Sequence, residues 1–240
     1  MKKQSIILVL LLCFLIFVII ACDEFSTSVE PLIDEVEDYR LTSESQVDFL
    51  INGIHARFTD TYDYTGVLSG ILADECIFDR RVPNATYPTF EELDDGDILL
   101  DNNSVDNLFE FLGELRFFAD NLLERIGDID FSDETLENKA YFYSNFYGGV
   151  ARYFYATYFG LDETTGGGVI NAGPFIPSAD MYDLAVTKLT TALDYADASQ
   201  AKLVNTLLAR IYLYQNEYTD AATYAANGLI EGDAPYQALY

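Results

Sequence analysis

The stretch Ser199–Leu229, SQAKLVNTLLARIYLYQNEYTDAATYAANGL, decides how the rest of the chain reads. It holds two amphipathic segments separated by a short polar break around Asn216. Leu208, Ala209 and Tyr212 fall at helical intervals on the first segment, and Ala221 and Leu229 on the second. A small residue at the crossing lets two antiparallel helices approach, and a tyrosine fills the groove between them. Asn216 suits the turn, because its short polar side chain tolerates left-handed backbone. A single helical hairpin leaves its own faces exposed, so at least two further helical pairs are implied.

The remaining sequence supplies them. Ser43 and Gln46 have the spacing of a capping box, in which each side chain satisfies a backbone N–H at the other's position. Val47, Leu50, Ile51, Ile54 and Phe58 then follow at helical spacing, with His55 beside the stripe. A second helix is expected from about Val105 to Ile126, with Leu108, Leu112, Leu115, Ala119, Leu122 and Leu123 inward. A third begins near Ser132 or Asp133, carries rings on all sides from Tyr141 to Phe159, and stops at Gly160. Rings on every side favour burial over a ligand platform. Helices are expected again at 178–196, 199–215 and 217–230. Residues 79–104, rich in Asp, Pro, Asn and Gly, read as one long loop. So does Thr164–Pro177, whose three consecutive glycines lack the lysine and spacing of a phosphate cradle. No stretch alternates strongly enough to require a sheet, and the expected class is all-α, helical hairpins with long loops.

The N-terminus carries a different signal. Lys2 and Lys3, an apolar run from Ile6 to Ala21, and then Cys22 have the order of a bacterial secretory leader ending at a lipid-acceptor cysteine. A membrane-spanning helix is the competing reading, but it wants about 20 apolar residues, and acidic Asp23 and Glu24 follow Cys22 directly. Residues 1–21 are thus expected to be a signal peptide, 22–41 an acidic tether and 42–240 one helical domain.

The chain holds 40 acidic and 13 basic residues, a net charge of −27, and loss of Lys2 and Lys3 with the leader makes it more negative. That field repels phosphates, and no basic cluster offsets it, so nucleic acid is excluded as a partner. The carboxylates read mainly as a solvated surface, with divalent-cation binding as the alternative. Asp94, Asp95 and Asp97 miss the calcium-loop order, and Asp128, Asp130 and Asp133 match it only loosely. Cys76 is left without an intrachain partner once Cys13 leaves with the leader and Cys22 takes lipid, and a buried structural thiol is expected there. With one histidine and no carboxylate pair in a recognisable setting, the sequence carries no enzyme signature.

The offsets of Leu208, Ala209, Tyr212, Ala221 and Leu229 resemble a tetratricopeptide repeat, with Gly228 in place of a usual alanine. Four further segments, in order, make the chain resemble the SusD/RagB family of Bacteroidetes outer-membrane lipoproteins. These are Asp74 and Glu75 in GILADECIF, ADNLLERI at 119–126, Tyr158-Phe159-Gly160, and Met181-Tyr182 with Leu189–Ala192. The resemblance implies a SusD-like helical scaffold in a nutrient-binding surface lipoprotein. Such a protein is lipid-anchored in the outer membrane at Cys22, docks on a SusC-like TonB-dependent transporter, and hands it oligosaccharides or similar oligomers. It implies no catalysis and no cofactor.

Four positions depart from the family pattern: Gly148-Gly149 stands for an Arg-Ala pair, Asp120 for Asn and Lys188 for Asp. The chain also stops at Tyr240, where the family continues with a long second half. By position, ligand contact is expected from Asp74, Glu75, Arg80, Arg81, Asn84 and Tyr87. There, planar polar groups and flat rings could meet sugar hydroxyls and C–H faces, although the arginines could equally pair with neighbouring carboxylates. The alternative function is a helical-repeat envelope lipoprotein that binds only other proteins.

Overall fold

The computed structural model describes residues 41–82, 87–160 and 167–237. Seven α-helices follow one another there: α1 Val47–Leu72, α2 Pro88–Asp95, α3 Asn103–Ile126, α4 Glu134–Tyr158, α5 Ser178–Leu193, α6 Ala198–Tyr214 and α7 Tyr218–Ala225. The class is all-α, as the spacing predicts. Among the described residues there is no strand; an isolated antiparallel bridge joins Val169 and Phe175. Also among them, no helix is long and apolar enough to cross a membrane. The leader, Cys22 and the tether up to residue 40 lie outside the described residues.

Packing follows chain order: α1 on α3, α3 on α4, α4 on α5, α5 on α6 and α6 on α7, with α2 laid mainly on α1. Three hairpins result, α1/α3, α4/α5 and α6/α7. Helix α4 is the centre, and every residue from Ser144 to Ala156 is buried. A helix apolar on all sides has no solvent face to present, so its neighbours must cover it. Leu112, Leu115 and Leu122 from α3, Met181 and Leu189 from α5, and Ile51 and Ile54 from α1 do so. His55 is buried edge-on to the rings of Tyr143 and Tyr147.

The helix starts are chemically marked. The Asn102 side chain accepts from the N–H groups of Ser104 and Val105, and Asp133 accepts from those of Thr135 and Leu136. Asp197 and Gln200 make a complete capping box at α6. The box expected at Ser43 and Gln46 does not form: Ser43 instead precedes a 3-10 turn, Glu44–Gln46, without a side-chain cap. Glu44 of that turn reaches the start of α4, where its carboxylate accepts from Ser132 N, Ser132 Oγ and Asp133 N at 3.1, 2.7 and 2.8 Å. Three donors at a helix N-terminus are a better use of that segment than a local box.

Residues 79–104 are not one loop, because α2 lies within them. Pro88 supplies the first-turn backbone and Gly96, at φ 69°, the left-handed stop. With Leu93 its single buried residue, this eight-residue helix shows no periodic stripe in sequence. Helix α7 is shorter than expected, ending at Ala225. Beyond it the Leu229 N–H donates to Thr206 Oγ1 at 2.8 Å, drawing the chain onto α6. A Cβ at Gly228 would lie 2.7 Å from that same oxygen, which accounts for glycine in place of alanine. Asn216 occupies left-handed backbone at φ 62°, as its chemistry predicts.

Candidate functional site

The predicted ligand loop begins where α1 ends. Asp74 takes left-handed backbone at φ 58°, and the N–H groups of Glu75 and Cys76 both donate to the Gly70 carbonyl. Asp74 and Glu75 are exposed and belong to this turn. So is Cys76, which corrects the expectation of a buried thiol: the turn that closes α1 points it outward. Arg80 pairs with Glu91 and with Asp95, the latter at 2.7 Å, both on α2. Arg81 doubly engages Asp79 at 2.8 and 2.9 Å, and its hydrogen bonds hold that carboxyl below the usual aspartate range. Tyr87 caps α2 and stacks on Phe90 at 5.5 Å, with much of its ring in water. Asn84 lies outside the described residues. The segment therefore brings Arg80 and Tyr87 to one short helix, but Asp74, Glu75 and Arg81 do not converge with them. Among the described residues no cluster of His, Cys, Asp or Glu could hold a metal ion.

The departures at 120, 148 and 188 converge instead. Asp120 on α3 lies 3.2 Å from Arg116, 2.8 Å from Arg152 on α4 and 3.1 Å from Lys188 on α5. Arg152 also donates to the Gly148 carbonyl at 2.8 Å, and Arg116 to Asn171 Oδ1 at 3.1 Å. Burial pushes the Asp120 carboxyl up, but the hydrogen bond and charge of Arg152 and the charge of Lys188 outweigh it and hold it low. A Cβ at Gly148 would touch Arg152, Asp120 and Lys188 together, while one at Gly149 would sit 2.7 Å from Leu189. Gly149 lets α5 close on α4, beside a charge cluster in which Arg116, Arg152 and Lys188 share the Asp120 carboxylate.

A groove lies elsewhere. The first helix of each hairpin, α1, α4 and α6, lines a groove of about 650 Å³. Phe58, Tyr62 and Asp63 form one wall, Tyr153 and Phe154 the floor, Arg210 the far wall, and Tyr236 one end. The Tyr236 hydroxyl is hydrogen-bonded to that of Tyr147, and burial pushes its phenol up to about 12. Burial likewise raises Tyr153, against the pull of its hydrogen bond with Arg210. Tyr153, Tyr182 and Tyr214 form a triangle of rings with centroids 6.4–6.5 Å apart. Sequence reasoning missed this groove because its residues come from three distant segments. One signal was present: Arg210 continues the spacing of Leu203 and Leu207, placing a cation on an apolar face.

Fold and groove together define an all-α scaffold of stacked helical hairpins with a concavity on one side. No protein-family model and no curated protein matches this sequence. Among solved structures, the chain is similar to the crystal structure of a SusD superfamily protein from Bacteroides thetaiotaomicron, with a TM-score of 0.54 and 17% sequence identity. The match covers 82% of this chain and 48% of that one, so this chain spans about half the neighbour's length. At this identity the likeness is one of fold: the helical architecture is SusD-like.

Proposed function

We propose that this chain is a nutrient-binding surface lipoprotein of a SusC/SusD-type uptake system, a binding protein rather than an enzyme. The observation that carries the reading is the SusD-like order of helices across most of the chain. The leader ending at Cys22 and the ordered sequence matches from Asp74 to Leu229 support it independently. In this reading Cys22 takes lipid, the protein sits at the outer membrane facing outward, and it docks on a TonB-dependent transporter. It passes oligosaccharide or a similar oligomer to that partner, with Asp74, Glu75, Arg80, Arg81, Asn84 and Tyr87 as the first proposed ligand contacts. Because both arginines already hold carboxylates, the Tyr87 ring is the group there most open to a ligand.

The second reading, an envelope protein that binds only proteins, is favoured by one feature. Leu213, Tyr214 and Tyr218 leave the last hairpin with a broad exposed apolar face. Titration calorimetry with a panel of oligosaccharides on the full chain separates the two. Nutrient binding requires measurable affinity for some oligomer at millimolar concentration or below; none across the panel leaves the protein-binding reading.

A further inference from the structure

The cluster around Asp120 uses its two guanidinium groups unequally. Arg152 engages both terminal nitrogens, Nη1 with the Gly148 carbonyl and Nη2 with Asp120. Arg116 engages one: its Nη1 donates to Asp120 Oδ2 at 3.2 Å and to Asn171 Oδ1 at 3.1 Å. Among the described residues its Nε is buried without a hydrogen-bond partner, and its Nη2 donates to none. Nε and Nη2 are the parallel donors along one edge of the guanidinium, the edge that takes both oxygens of a carboxylate. Arg116 is only 7% exposed, and a buried donor left unpaired is costly. The two bonds from Nη1, to α3 and to the loop beyond α4, fix the plane of the group, so the unused edge is held ready.

Arg116 also lines a pocket of about 390 Å³. Phe109, Phe117 and Tyr155 give that pocket flat apolar walls. Gly113 keeps it open, since a Cβ there would lie 3.2 Å from the Tyr155 hydroxyl. Asn171 and Ala172, both in left-handed backbone at φ 50° and 55°, supply the loop wall. Charge then selects the occupant. Arg116, Arg152 and Lys188 share the Asp120 carboxylate, so the cluster is net positive within a chain of net charge −27. Of the two glutamates lining the pocket, Glu114 is held by Arg57 at 2.9 Å and Glu110 is exposed. One negative charge fits against Arg116, whereas a second would add to Glu110 and the acidic surface, which disfavours phosphate and sulfate. The flat walls call for a flat apolar body behind the carboxylate.

We infer that the pocket beside Arg116 binds a small aromatic monocarboxylate, with the carboxylate across Nε and Nη2 and the ring against Phe109 and Phe117. This site stands apart from the nutrient-binding reading and shares no residue with the contacts proposed there.

The test uses the full chain in micelles of a zwitterionic detergent, with titrations into protein-free micelles as the blank. Calorimetric titration with phenylacetate, phenylacetamide, phosphate and sulfate is compared for the parent chain, Arg116→Lys and Phe117→Ala, and circular dichroism establishes that each variant is folded. The expected result is binding of phenylacetate, with the amide about tenfold weaker or worse. Arg116→Lys, which keeps the charge and loses the paired donors, is expected to weaken phenylacetate by about tenfold or more. Phe117→Ala, at an exposed ring whose loss leaves the core intact, is expected to weaken it by about three- to tenfold. Equal affinity for acid and amide, or undiminished binding in a folded Arg116→Lys chain, overturns the guanidinium edge. Unchanged affinity in Phe117→Ala overturns the ring contact, and phosphate or sulfate binding tighter than phenylacetate overturns the monocarboxylate. Should Arg116→Lys not fold, the acid and amide pair and Phe117→Ala decide between them. No binding of phenylacetate up to about 10 mM overturns the site and leaves the nutrient-binding reading untouched.

Discussion

Replacing Asp120 by Asn is the most direct perturbation of the packing that joins α3, α4 and α5. The substitution keeps shape and one acceptor oxygen while removing the carboxylate shared by Arg116, Arg152 and Lys188. Arg116 and Arg152 are each more than nine-tenths buried, so neither can turn to water for compensation. Removing one partner of a buried ion pair costs about 3–5 kcal/mol. The Asp120 side chain is 24% exposed and Asn can still accept from Arg152, so about 2–4 kcal/mol is expected here. For a domain of this size that corresponds to a melting point lower by roughly 5–15 °C.

The pH dependence supplies a sign that a simple packing defect lacks. Asp120 titrates below its ordinary value of 3.8 in the folded chain, so its stabilisation is fully present above that value. It is lost as pH falls through the folded-state value. The gap between parent and variant is therefore expected to be full at neutral pH and to close only under acid conditions, as pH falls below the ordinary value of 3.8. Adding Lys188→Asp to the variant restores a carboxylate from α5 and should recover part of the loss. Urea and thermal unfolding followed by circular dichroism across this range would decide. An unchanged melting point at neutral pH, or a gap that persists undiminished in acid, would refute the reasoning.

Two further outcomes follow from named contacts. Ala221→Leu forces a larger side chain between α7 and α6, where Ala221 is buried, and should cost about 1–3 kcal/mol in thermal unfolding; an unaltered midpoint would mean the hairpin does not rest on a small residue there. Cys22→Ser should abolish incorporation of a labelled fatty acid in cells, because diacylglycerol is attached through that sulfur before the leader is cleaved, and undiminished label would rule out lipidation at this residue.

Much of the scaffold is legible in sequence because it depends on local periodicity and local caps. The stripes at Leu108–Leu122 and Val47–Ile54, the rings encircling α4 and the Asn216 turn each state their role within a few residues. Helix α2 escapes the same reading since eight residues around one buried leucine make no period. The Ser43 box fails for a different reason: Glu44 is drawn to donors at Ser132 and Asp133, nearly ninety positions away. Cys76 shows the limit of composition, because a lone apolar thiol is often buried, but here the turn at Asp74 decides where it points.

The sequence by itself therefore determined the class of fold, most of its helices and the last hairpin, because helix period and turn chemistry are encoded within one or two turns of chain. Only the tertiary structure decided which distant residues meet. Asp120, Gly148 and Lys188 read separately as three departures from a family pattern, and become one charge cluster only when α3, α4 and α5 pack. Tyr62, Tyr153 and Arg210 carry no shared spacing, and face one groove only because three hairpins stack with their first helices on the same side. Long-range proximity is a property of packing, and no local pattern records it.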